Sequence, residues 1–136
     1  MKTKMLLLTT MLMTTFFSLS AQNYIGQSKS KIINDLKKEF DFGVIQDVSE
    51  EEQFILKYSN FTGNIIIYFY FDSKGKCEKF TIINKNLADY KSVVRDLNRR
   101  FVKSQKNLWV QKGDLACQWR LDRKENFFAL TVTKSL

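Results

Sequence analysis

The first question is which side chains could do chemistry. Histidine, whose unperturbed pKa suits proton transfer near neutrality, is absent from the chain. That excludes Ser-His and Cys-His nucleophile activation. It also removes the commonest zinc and copper ligand, and two cysteines do not make a structural zinc site of the usual kind. Ser28-x-x-Lys31 has the spacing of a serine nucleophile with its lysine, but the Ser-Asp-Asn and Lys-Thr-Gly companions are missing. Carboxylates remain. Asp41, Asp47, Asp72 or Asp114 would have to pair across a sheet at about 5–10 Å to act on glycans, and nothing in their spacing arranges that. Glu50-Glu51-Glu52 lacks the alternation of a calcium loop and reads as a solvated turn. Asn60-Phe61-Thr62 has the spacing of a glycosylation sequon. The expectation is a protein that is not an enzyme and needs no cofactor or metal. A small carboxylate-dependent, glycan-acting enzyme is the rival.

The elements that position everything else centre on Asn64 to Ile83. Ile65 to Phe71 is a run of Ile, Tyr and Phe, types that suit a pleated surface, and it is apolar on both faces. Asp72-Ser73-Lys74-Gly75 supplies Asp at the first and Gly at the fourth position of a type I turn. A three-residue loop closed by a G1 bulge sets Asp72 opposite Lys76, Phe71 opposite Cys77, Ile67 opposite Thr81 and Ile65 opposite Ile83. One face then carries Ile65, Ile67, Phe69, Phe71, Cys77 and Ile83, with Lys79 out of place among them. The other carries Ile66, Tyr68, Tyr70, Phe80 and Ile82. A four-residue loop would turn every side chain of the second strand over.

Lys2 and Lys4 precede an apolar run from Met5 to Phe17 and a small-residue stretch ending at Ala21. This is the form of a secretory signal peptide over residues 1–21, and it is shorter than the roughly 20 apolar residues that span a bilayer. Cleavage falls after Ala21 or after Ser20. Residues 22–136 then form a single domain, exported to the periplasm or cell exterior, with no transmembrane anchor. The net charge of +8 falls to +6 without Lys2 and Lys4. The remaining chain, about 115 residues, is enough for one core.

Ile32, Ile33, Leu36 and Phe40 recur at helical spacing behind a Ser28 or Ser30 cap, with Gly43 to end the helix. Leu87, Tyr90, Val94, Leu97 and Phe101 repeat it in a second helix that runs from Asn84 or Asn86 to about Lys103. Val44–Val48, Gln53–Tyr58, Leu108–Val110, Leu115–Leu121 and Phe127–Thr133 read as strands beside the hairpin. Short turns make them antiparallel. The expected fold is α+β: a single antiparallel sheet of about seven strands with two helices on one face, in the order α-β-β-β-β-α-β-β-β. Each half is a helix with a Phe at its end followed by strands, which hints at a repeat.

Tyr24-Ile25-Gly26-Gln27-Ser28-Lys29-Ser30-Lys31-Ile32 resembles the opening of small exported bacterial domains in which a Gly and a capped helix precede an antiparallel sheet. The outer-membrane assembly lipoproteins and the β-lactamase-inhibitor-like domains are built this way. The resemblance covers this segment and the element order. It implies action by protein–protein contact. The chain departs from the lipoproteins in having no cysteine near the cleavage site and in having extra strands.

Cys77 and Cys117 are either a disulfide, which would close a loop of about 40 residues and stabilise by roughly 3–4 kcal/mol, or two buried thiols acting as small hydrophobes. Lys91, Arg95, Arg99, Arg100, Lys103 and Lys106, joined by Arg120, Arg123 and Lys124, are either a solvated basic surface or a site for an anionic envelope component. Nucleic acid is disfavoured, since no nucleic-acid-binding signature accompanies the charge. Ile66, Tyr68, Tyr70 and Phe80 form an aromatic patch of the kind that marks interfaces, unless the segment with Tyr24 covers it. The leading expectation is a binding module acting through that patch, with Arg95 and Arg99 as a second contact. A homodimer pairing its own sheet face is an alternative.

Overall fold

The computed structural model describes residues 23–39 and 43–135. The segment read as a signal peptide, and Phe40 and Asp41, lie outside the described residues. Helix α1 spans Lys29–Glu39, and strands β1 Val44–Asp47, β2 Phe54–Ser59, β3 Ile65–Phe71 and β4 Cys77–Asn84 follow it. A single 3-10 turn, Leu87–Asp89, leads into α2, Tyr90–Arg100, and then β5 Val102–Gln105, β6 Leu108–Gln111, β7 Cys117–Arg123 and β8 Phe128–Lys134. The Ser28 hydroxyl accepts from the Lys31 N–H at 3.3 Å and so caps α1. The Asn86 side chain accepts from the Ala88 N–H and starts the 3-10 turn.

The α+β architecture is as expected, with one sheet, but the sheet has eight strands. The extra strand, β5, lies where the sequence reads the end of the second helix. At Phe101 the backbone turns extended (φ −130°, ψ 166°), and its ring stacks on Trp119 at 4.9 Å between centroids. Every residue of β5 is exposed. It has no buried period to read and is a strand only because it pairs with β6.

The strand order is β1-β2-β3-β4-β8-β7-β6-β5, antiparallel throughout. Two helix-plus-four-strand units therefore run inward from opposite edges and meet at β4 and β8. Thr81 and Thr131 face each other at that seam, their hydroxyls 3.3 Å apart. The loose likeness of the two halves in sequence is thus a repeat of the whole topological unit. Helix α1 reaches β1 through Lys29 and Asp47, while α2 lies on the second unit through Tyr90–Phe128 and Asn98–Trp109.

One sheet face and both helices enclose the core. Ile32 and Leu36 of α1 and Val93 and Leu97 of α2 are buried with Tyr58, Ile67, Phe69, Phe80, Trp119 and Leu130. Tyr24 lies in this layer too, edge-on to Phe69 and Phe80 at 5.0 and 5.2 Å. It does not cover the opposite face.

The hairpin register differs from expectation in one place. Phe71 does oppose Cys77, but a second bulge follows: Tyr70 opposes Lys79, leaving Glu78 unpaired. Beyond it Ile67 pairs with Ile82 and Ile65 with Asn84. A one-residue shift sends every later side chain to the other face. Phe80 and Ile82, expected on the outer face, are in the core, with Phe80 at 0 % exposure. Lys79, Thr81 and Ile83 take their places outside.

The cysteine alternative is also resolved. Cys77 and Cys117 are both buried and free. β4 and β7 flank β8 on its two sides, which sets the two residues about two strand spacings, or roughly 10 Å, apart. A disulfide requires Cα atoms within about 7 Å.

Candidate functional site

Among the described residues nothing covers the face opposite the helices. None of its side chains on the six strands β2, β3, β4, β8, β7 and β6 is fully buried, and most are half-buried against one another. The pleat makes this happen: alternate residues of each strand must point away from the core. In β3 those residues are Ile66, Tyr68 and Tyr70, which gives the face an aromatic and aliphatic column.

The paired registers define two rows across the sheet. Lys57, Tyr68, Thr81, Thr131 and Arg120 stand side by side on β2, β3, β4, β8 and β7. Ile55, Tyr70, Lys79, Thr133 and Gln118 form the neighbouring row. Lys79 Nζ sits 4.2 Å from the Tyr70 ring centroid, and Lys57 Nζ 5.9 Å from that of Tyr68. These are cation–π distances, and they hold two ammonium groups over the two rings. The Tyr70 hydroxyl has its pKa raised, first by desolvation and then by Tyr68 and Glu50. At neutral pH it is a hydrogen-bond donor. Where the face meets the hairpin end, Tyr70, Glu78, Lys79 and Thr133 border an open depression of about 690 Å³.

Of the residues expected to bind, Ile66, Tyr68 and Tyr70 are on this face and Phe80 is not. Phe80 belongs to the core because the Glu78 bulge inverts its strand. Arg95 and Arg99 are exposed on α2, on the other side of the molecule, and Arg99 pairs with Asp96 at 2.7 Å. The aromatic and basic candidates are therefore two surfaces. Several of the other cations have structural partners: Arg100 lies over Phe101, Lys103 over Trp109 and Arg123 over Tyr90.

Sequence reasoning missed Lys57, Lys79, Thr81 and Ile83 as members of the face. The signal was available in Lys79, whose charge did not fit the core column that a single-bulge hairpin gave it.

Among the described residues the candidate carboxylates Asp47, Asp72 and Asp114 lie on separate elements, and Asp41 is outside the described residues. Asp47, on β1, accepts from the Ser49 hydroxyl and N–H and from Lys29 Nζ, and these bonds lower its pKa to about 2. Asp72 closes its own turn by accepting from the N–H groups of Lys74 and Lys76, each at 2.9 Å, and its pKa is lowered mainly by the Lys76 bond. Asp114 lies in the turn between β6 and β7. Among the described residues no three His, Cys, Asp or Glu side chains are grouped to hold a metal. No described helix is long and apolar enough to cross a membrane.

In comparisons with known proteins, no family model matches the chain, and neither does any curated protein or solved structure.

Proposed function

We propose that the chain is an exported, non-catalytic binding protein that holds an acidic protein partner on its open sheet face. The observation that carries this reading is the uncovered Tyr68/Tyr70 column flanked by Lys57, Lys79 and Arg120. Half-buried aromatics supply contact area at small entropic cost, and the flanking cations select negative charge. Of the acids near the face, Asp122 stands beside Ala129 and Glu78 borders the depression at the hairpin end, while Lys57, Lys79 and Arg120 occupy the rows with Tyr68 and Tyr70. Pairing the face with its own copy would bring like charges together, so a different protein is favoured over a homodimer. The resemblance of the Tyr24–Ile32 segment to exported protein-binding domains supports the same class.

The test is a pulldown from the envelope fraction of the producing cell with the parent and with Tyr68→Ser/Tyr70→Ser. Loss of one dominant partner, with circular dichroism unchanged, supports the proposal. Undiminished capture by the variant removes the face from the site, and recovery of own copies alone replaces the reading with self-association.

A further inference from the structure

The helix side of the molecule carries a second surface of different chemistry. Helix α1 has four lysines against Asp35 and Glu39, and α2 has four cations against Asp96. Lys31, Lys37 and Lys38 on α1 and Lys91 and Arg95 on α2 are all exposed. None of these five forms an ion pair among the described residues, whose pairs are Lys29–Asp47, Asp96–Arg99 and Asp96–Arg100.

Helix stability does not account for the arrangement. Cations in the last turn, such as Lys37, Lys38, Arg99 and Arg100, complement the helix dipole. Lys31 and Lys91 are in first turns, where a cation is unfavourable; the first turn of α1 holds no acid, and at α2 Asp89 stands at the N-cap. Both helices thus carry more cations than acids, on the outer side of the same sheet. None of the large exposed apolar residues is on a helix. A surface of this kind has charge to offer and nothing to insert.

We propose that the helix layer lies against an anionic phospholipid surface, held by Lys31, Lys37, Lys38, Lys91 and Arg95. The association is peripheral: each cation near such a surface contributes about 1 kcal/mol, and salt screens it within a Debye length. Membrane contact on this side leaves Tyr68 and Tyr70 facing away from the lipid. The inference does not depend on the sheet-face reading.

The test uses the chain from Gln22 onward, which carries every described element and omits the apolar leader that would itself enter lipid. Flotation is measured with vesicles of phosphatidylcholine alone and with 30 % phosphatidylglycerol, in 50 and 500 mM NaCl. The expected result is binding to the anionic vesicles at low salt, lost at high salt and absent from neutral vesicles. Each of Lys37→Gln, Lys38→Gln, Lys91→Gln and Arg95→Gln should lower the partition constant about fivefold. Lys57→Gln/Lys79→Gln, on the other face, should leave it unchanged. Absence of binding to anionic vesicles, equal binding to neutral ones, or loss only with the sheet-face variant would each overturn the proposal.

Discussion

Replacing Phe80 with Ala tests the bulge on which the composition of the open face depends. Phe80 has 0 % exposure and packs against Tyr24, Phe69 and Trp119, with centroids 5.2, 6.3 and 6.2 Å away. Truncating a buried Phe costs about 3–5 kcal/mol through lost transfer energy and an unfilled cavity. For a domain of this size that corresponds to a fall in Tm of roughly 12–20 °C, at about 4 °C per kcal/mol. Tyr70→Ala, one strand away, should cost about 1 kcal/mol or less, since the ring is only partly buried. Urea unfolding followed by tryptophan fluorescence reads both, because Trp119 reports on the same cluster. If Phe80→Ala proves neutral, the second bulge does not exist and the face is built from other residues.

Three further outcomes follow from local geometry. A Cβ on Gly43 would overlap Cε2, Cζ and the hydroxyl of Tyr58, which is buried, so Gly43→Ala should destabilise by about 1–3 kcal/mol; pairing it with Tyr58→Leu in a double-mutant cycle should recover part of that loss. Asp47 has a folded pKa of about 2 against an ordinary 3.8, so its stabilising contribution is present above pH 4 and disappears as pH falls towards 2. The stability gap between the parent and Asp47→Asn, measured by urea titration, should close over that window. Burial pushes the Cys77 thiol up to about 12, so it should resist iodoacetamide at pH 8 in the native protein, and a thiol count in urea should find two free groups; a count of zero would contradict the strand separation given above.

The parts of this fold legible in the sequence are those with a buried period. Leu97 and its neighbours mark α2, and the uninterrupted Ile65–Phe71 run marks a central strand with two faces to occupy. The rest was hidden for physical reasons. β5 is exposed along its length, so Val102–Gln105 has no hydrophobic alternation, and only pairing with β6 defines it. The Glu78 bulge has no residue signature of its own. Its one trace is the parity of Lys79 against Phe80 and Ile82, which fits the core only if one residue is skipped. The sheet face of Tyr68 and Tyr70 was legible because they lie on β3, outside that skip, and Phe80 was assigned to the wrong face because it follows it.

A partner seated on the Tyr68/Tyr70 face would meet the amines that Lys57 and Lys79 place over those two rings. Carbodiimide crosslinking in the envelope fraction, which joins lysine amines to carboxylates and is read by mass spectrometry, tests for that partner at the face itself. Crosslinks are expected from Lys57 and Lys79 to one dominant protein, at its Asp and Glu side chains. Crosslinks to a partner only from Lys37, Lys38 and Lys91, with Lys57 and Lys79 unmodified by it, would contradict that seating.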